Sequence, residues 1–118
     1  MRYFFFYYLG FSGPVIQNNQ ISTIDIWGPQ YRVAVNIKVR AWNPENDYNN
    51  ILRFTSTDSD SGDIGDRIPA IFYNVGGFLQ ITSAVNGNGN DYFDFPIDLE
   101  KWYHIEIHQA ERNGQVSI

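Results

Sequence analysis

Apolar and polar residues alternate along most of this chain, and no stretch repeats convincingly at the helical period. Alternation marks a half-buried β-strand, because successive side chains point to opposite faces. The clearest case is "YRVAVNIKVRAW". Tyr31, Val33, Val35, Ile37, Val39 and Ala41 share one face, and Arg32, Ala34, Asn36, Lys38 and Arg40 the other. Further strands are predicted at Tyr3–Leu9, Ile21–Trp27, Ile51–Ser56, Ile68–Tyr73, Phe78–Val85, Trp102–Gln109 and Gln115–Ile118. Turn signals separate them: Gly10 to Pro14, Gly28-Pro29, Asn43-Pro44, Gly76-Gly77, "NGNGND" and "ERNG". Short strands at this spacing predict an all-β fold, a jelly-roll β-sandwich of two antiparallel sheets. With no repeat and no linker, residues 1–118 are expected to form a single domain. The sequence given stops at "NGQVSI", within a strand that follows a hairpin turn, so one or more C-terminal strands of the sandwich are expected to be missing.

Composition narrows the function classes. The chain has 118 residues, of which 43% are hydrophobic and 18% charged, enough apolar content for a core and too little charge for global disorder. A formal charge of −5 argues against binding nucleic acid through phosphate contacts. The charge is uneven. Residues 1–44 carry Arg2, Arg32, Lys38 and Arg40 against Asp25, a net +3, and residues 45–118 carry the remaining −8. A divalent cation would bind in that acidic part. The absence of cysteine removes disulfides, thiol catalysis and thiolate metal sites. The opening "MRYFFFYYLGFSG" is aromatic rather than leucine-rich and has no small-x-small cleavage pattern, so it reads first as a strand and second as a short secretory signal. It is too short to span a membrane as a helix.

Three clusters carry candidate chemistry. In "TSTDSDSGDIGDRIPAIFYNVGG", Asp58, Asp60, Asp63 and Asp66 crowd into nine residues with two glycines. Ca²⁺ takes six to eight oxygens on a flexible turn, and Asp58, Asp60 and Asp63 are the candidate ligands, although the spacing is not that of an EF-hand. The alternative is a polar inter-strand turn whose aspartates bond the local backbone. Asp66-Arg67 opens a strand and is expected to form a structural pair. In "HIEIH", His104, Glu106 and His108 share one strand face. They read as the polar outer face of an amphipathic strand, with a transition-metal set as the alternative. In "AVNGNGNDY", Asn86, Asn88, Asn90 and Asp91 sit beside Tyr92. Amides and a carboxylate next to an aromatic ring suit a sugar, whose hydroxyls they bond while the ring covers its apolar face. The alternative is a hairpin loop. No G-x-S-x-G, no H-E-x-x-H and no strand with closely spaced paired acids is present, so no enzymatic activity is expected.

Several segments together resemble the concanavalin A-like lectin/glucanase superfamily, and within it the laminin-G-like and lectin-like modules. They are Leu52-Arg53-Phe54-Thr55, Gly65-Asp66-Arg67-Ile68-Pro69-Ala70, Leu79-Gln80-Ile81, Asn86-Gly87-Asn88, and Trp102 with Ile105-Glu106-Ile107 and Gln109. "TIDIWGPQYRVAVNIKV" fits the preceding strand pair, so the resemblance covers roughly residues 20–118. It implies a jelly roll, binding of a glycan or glycoprotein partner often helped by Ca²⁺ on rim loops, and an extracellular setting. The Glu-Asp-Glu strand of the hydrolytic members has no counterpart here.

Overall fold

A computed structural model describes residues 30–57, 61–85, 87–109 and 114–117. The strands expected at Tyr3–Leu9 and Ile21–Trp27 lie outside the described residues, as do Asp58, Asp60, Asn86 and residues 110–113.

The described residues contain strands and turns and no helix. The strands are β1 (Tyr31–Lys38), β2 (Tyr48–Arg53), β3 (Ala70–Asn74), β4 (Phe78–Val85), β5 (Asn88–Pro96), β6 (Trp102–Gln109) and β7 (Gly114–Ser117). They form two antiparallel sheets, one in the order β1-β6-β7 and the other β2-β3-β4-β5. β4 and β6 have the bounds that alternation predicts. β2 begins three residues earlier than expected, and its register shifts between Asn50 and Leu52. β5 departs most from expectation: residues 88–91 belong to a strand paired with β4 rather than to a loop.

The sheets pack face to face because each has one apolar side. β1 and β6 contribute Val33, Ile37, Ile105 and Ile107, with Val39 just beyond β1. Ile71, Leu79 and Ile81 come from β3 and β4, and Ile97 from the β5–β6 connection. These nine form one buried cluster, and removing each such side chain from water is worth about 1.5–3 kcal/mol. The result is a β-sandwich. Polar groups also join the sheets. Tyr31 Oη and Ser83 Oγ share a hydrogen bond between β1 and β4, and Gln109 Nε2 donates to the Ala84 carbonyl at 3.0 Å. Burial pushes the Tyr31 phenol above its ordinary pKa, against the smaller lowering effect of the bond to Ser83.

Register fixes which side chains stand together on the outer faces. Asn50, Phe72, Gln80 and Asp94 pair in one row across the four-stranded sheet, and Ala70, Thr82 and Tyr92 in the next outward row. On the other sheet, Lys38 faces Trp102, Asn36 faces His104, Ala34 faces Glu106 and Arg32 faces His108.

Candidate functional site

The acidic segment between β2 and β3 begins as a continuation of their pairing. Phe54 N donates to the Pro69 carbonyl at 2.8 Å, Ile68 N to Phe54 O at 2.8 Å, and Ser56 N to Gly65 O at 2.9 Å. Beyond that pairing, Asp66 is the hub of the loop. Its Oδ1 accepts from Thr57 Oγ1 at 2.5 Å, and its Oδ2 from the Ser61 and Asp63 amides at 3.0 and 3.1 Å. The Ser61 hydroxyl stands 3.0 Å from that same oxygen and 2.8 Å from Asp63 Oδ2. Donation from Thr57 is the main reason the Asp66 carboxyl is held down at about 2, with the Ser61 and Asp63 bonds adding to it against the cost of burial. This is the local side-chain-to-backbone bonding expected of an aspartate in a turn.

That geometry leaves Asp66 unsuited to ligating a cation, since both of its oxygens already accept from N–H and O–H groups. Of the three expected Ca²⁺ ligands only Asp63 is described, and among the described residues no three His, Asp or Glu side chains are grouped as metal ligands. The described residues therefore do not by themselves make a Ca²⁺ cage. The Asp66–Arg67 pair does not form either: no ion pair between the two is found among the described residues. Arg67 Nη1 donates to Asn90 Oδ1 on β5 at 2.7 Å, and its guanidinium lies 5.0 Å from the Phe72 ring centre.

That arginine borders a surface feature built from several strands. Tyr48, Arg67, Phe72, Gln80, Asn90, Tyr92 and Asp94 line a shallow depression of about 380 Å³ on the outer face of the four-stranded sheet. Tyr48 and Tyr92 are 48% and 60% exposed, while Phe72 is buried in the floor. Tyr48 is set edge-on against Phe78, with ring centres 6.3 Å apart. Gln80 Nε2 donates to Asp94 Oδ1 at 2.9 Å. Arg67–Asn90 and Gln80–Asp94 are thus fixed pairs. The Asn90 amide nitrogen and the second Asp94 oxygen have no partner among the described residues. The groove offers two exposed rings for an apolar surface, with donors and acceptors beside them.

The outer face of the other sheet carries the His-Glu-His pattern. Glu106 Oε1 is 3.1 Å from His104 Nε2, and its Oε2 is 3.1 Å from His108 Nε2 and 2.8 Å from Arg32 Nη2. His104, then His108 and Arg32, hold the Glu106 carboxyl down at about 2. His104 Nδ1 also bonds Asn36 Oδ1 at 2.8 Å. The two imidazoles approach different oxygens of one carboxylate instead of converging on a common point. Tyr103, Ile105 and Ile107, between them in sequence, face the core as alternation predicts.

Comparison of the chain with family models, curated proteins and solved structures finds no match.

The expected sugar-binding residues divide between the two faces of β5. Asn90 and Tyr92 point outward into the groove. Asn88 does not line it: its Oδ1 accepts from the Asn90 amide at 3.0 Å and shapes the start of the strand. Asp91 alternates to the side opposite Asn90 and Tyr92 and is not part of the groove either. Sequence reasoning passes over Tyr48, Arg67, Phe72, Gln80 and Asp94. The period-two spacing of Asn90, Tyr92 and Asp94 is a signal that could have found the last of these. Tyr48, Phe72 and Gln80 come from three different strands and meet through register, and Arg67 comes from the loop before β3.

Proposed function

We propose that this chain is a non-enzymatic carbohydrate- or glycoprotein-binding module. The observation that supports it is the groove on the four-stranded sheet, where exposed Tyr48 and Tyr92 share one depression with Asn90, Gln80 and Asp94. Rings of this kind cover the C–H face of a pyranose, while amide and carboxylate groups bond its hydroxyls. The pre-formed Arg67–Asn90 and Gln80–Asp94 pairs lower the cost of ordering these side chains on binding. In this reading the sandwich is a jelly roll of the concanavalin A-like kind that works in an extracellular setting. Ca²⁺ assistance would rest on Asp63 together with Asp58 and Asp60.

A glycan array probed with and without Ca²⁺, followed by titration of the hits against Tyr92→Ala, tests the proposal. Glycan binding that weakens in Y92A supports it. No binding under either condition would sink it and would favour a second reading, a purely structural sandwich within a larger extracellular protein. The observation behind that reading is the same pairing of groove side chains with one another, which also serves to tie β4 to β5.

A further inference from the structure

The outer face of the three-stranded sheet presents a different set of groups, centred on Trp102. Its indole is 65% exposed at the first position of β6. Scattered apolar side chains on a surface need no explanation by themselves. This one, however, borders an open depression of about 450 Å³ lined by Asn36, Trp102, Tyr103 and His104. Trp102 and His104 are two residues apart on one strand, so their side chains start on the same face with Cα atoms about 7 Å apart, and Asn36 stands opposite His104 on β1.

The polar walls are held in place. His104 Nδ1 lies 2.8 Å from Asn36 Oδ1 and its Nε2 3.1 Å from Glu106 Oε1, which holds the imidazole and the Asn36 amide in place. Both stand on the depression wall. Lys38 Nζ lies 5.9 Å from the Trp102 ring centre and 3.6 Å from Glu100 Oε2, so the ring has a tethered neighbour. The strand cations on either side of the depression are paired, Lys38 with Glu100 and Arg32 with Glu106.

An exposed indole face, an amide and an imidazole held beside it, and an open shallow shape together describe a platform for a polyhydroxylated ring. We propose that Trp102, Asn36 and His104 form a second carbohydrate platform, on the sheet opposite the Tyr92 groove, and that the module binds neutral oligosaccharides on both faces. This inference rests on the carbohydrate-binding reading above and extends it from one face to two. The two sites lie on the outer surfaces of opposite sheets, so one sugar cannot bridge them within a single molecule. A chain with both would cross-link a branched or repeating glycan.

The test is titration of the ¹⁵N-labelled full chain with uncharged hexasaccharides of three linkages: β-1,3-glucan, β-1,4-mannan and chitin. The expected result is two separate groups of shifting signals, one at the Trp102 indole N–H and the Asn36 amide, the other at Gln80 and Asn90. Trp102→Ala abolishes the first group and leaves the second; Tyr92→Ala does the reverse; Trp102→Phe retains the first in weakened form. Three results overturn the proposal. Shifts confined to Gln80 and Asn90 leave the groove reading standing and remove the second platform. No shifts on either face remove both. A Trp102→Ala variant that changes self-association by sedimentation, with no oligosaccharide response at Asn36, makes this face a contact between copies of the chain.

Discussion

Gly89 offers the sharpest test of how the acidic loop is held. A Cβ added to this residue would lie 2.5 Å from Ile64 N, 2.6 Å from Asp63 C and 2.8 Å from Gly62 O. All three are backbone atoms, so no side chain can swing aside. Ordinary contact between such atoms is about 3.5–4.0 Å, so Gly89→Ala forces the loop away from β5 by roughly 1 Å. Overpacking of this kind costs about 1–3 kcal/mol. The loss of chain entropy in the unfolded state returns about 0.4–1 kcal/mol, because Gly89 has an ordinary φ that alanine adopts. The net expectation is destabilisation by about 1–2 kcal/mol. At about 4–8 °C per kcal/mol for a domain of about 100 residues, thermal melting detects it readily.

The displacement has a second readout. One of the loop residues that meet Gly89, Asp63, also bonds Asp66 through its amide, and that 3.1 Å bond to Asp66 Oδ2 has no slack for a retreat of that size. In the Gly89→Ala protein the Asp66 carboxyl therefore rises from about 2 toward its ordinary range, followed by NMR titration. Gly87 provides the contrast. Its φ is +79° and an added Cβ would meet nothing within 4 Å, so Gly87→Ala costs about 1–2 kcal/mol through backbone strain alone. It leaves the Asp66 titration untouched. An Asp66 value and melting temperature in Gly89→Ala equal to those of the parent would refute the packing argument.

Other outcomes rest on the same geometry. Leu79 is fully buried in the common core, and Leu79→Ala should destabilise by about 2–5 kcal/mol in chemical denaturation. Thr57→Ala removes the chief cause of the low Asp66 value and should raise it in an NMR titration. Asp66 and Glu106 are both held at about 2, below an ordinary carboxylate near 4. Their stabilisation is thus complete above about pH 5 and is lost as pH falls from about 5 through about 2. Melting temperatures should drop across that window, and Asp66→Asn should flatten the profile while lowering stability at neutral pH.

What was legible in the sequence depends on how much of each feature is local. β4 and β6 have their predicted bounds because their inward positions, Leu79, Ile81, Ile105 and Ile107, are apolar and regularly spaced. The same alternation places His104, Glu106 and His108 outward. β5 escapes notice because "NGNGND" has poor strand propensity, and Asn-Gly is a turn signal in its own right. Those residues become strand through hydrogen bonding to β4, a tertiary cause that no local window contains.

The acidic segment shows the limit differently. Asp63 and Asp66 are the same residue type in the same glycine-punctuated run, yet one is exposed and the other is buried with both oxygens saturated. The difference lies in the close approach of residues 62–64 to Gly89 and in the Thr57 hydroxyl, contacts made by chain segments on either side of the loop. The groove is the extreme case. Tyr48, Arg67, Phe72, Gln80, Asn90, Tyr92 and Asp94 span much of the chain and share a surface only because β2, β3, β4 and β5 pair in one particular register. A slip of one residue in β5 would turn Asn90, Tyr92 and Asp94 inward and bring Asp91 and Phe93 out. Phe93 is already 54% exposed, so at this strand the apolar preference rests mainly on Phe95, which packs against the core. The polar pairing across the outer face, Asp94 with Gln80 and Asn90 with Arg67, favours the same register. The side chains that shape the candidate binding surface thus also help to hold the strand that presents it.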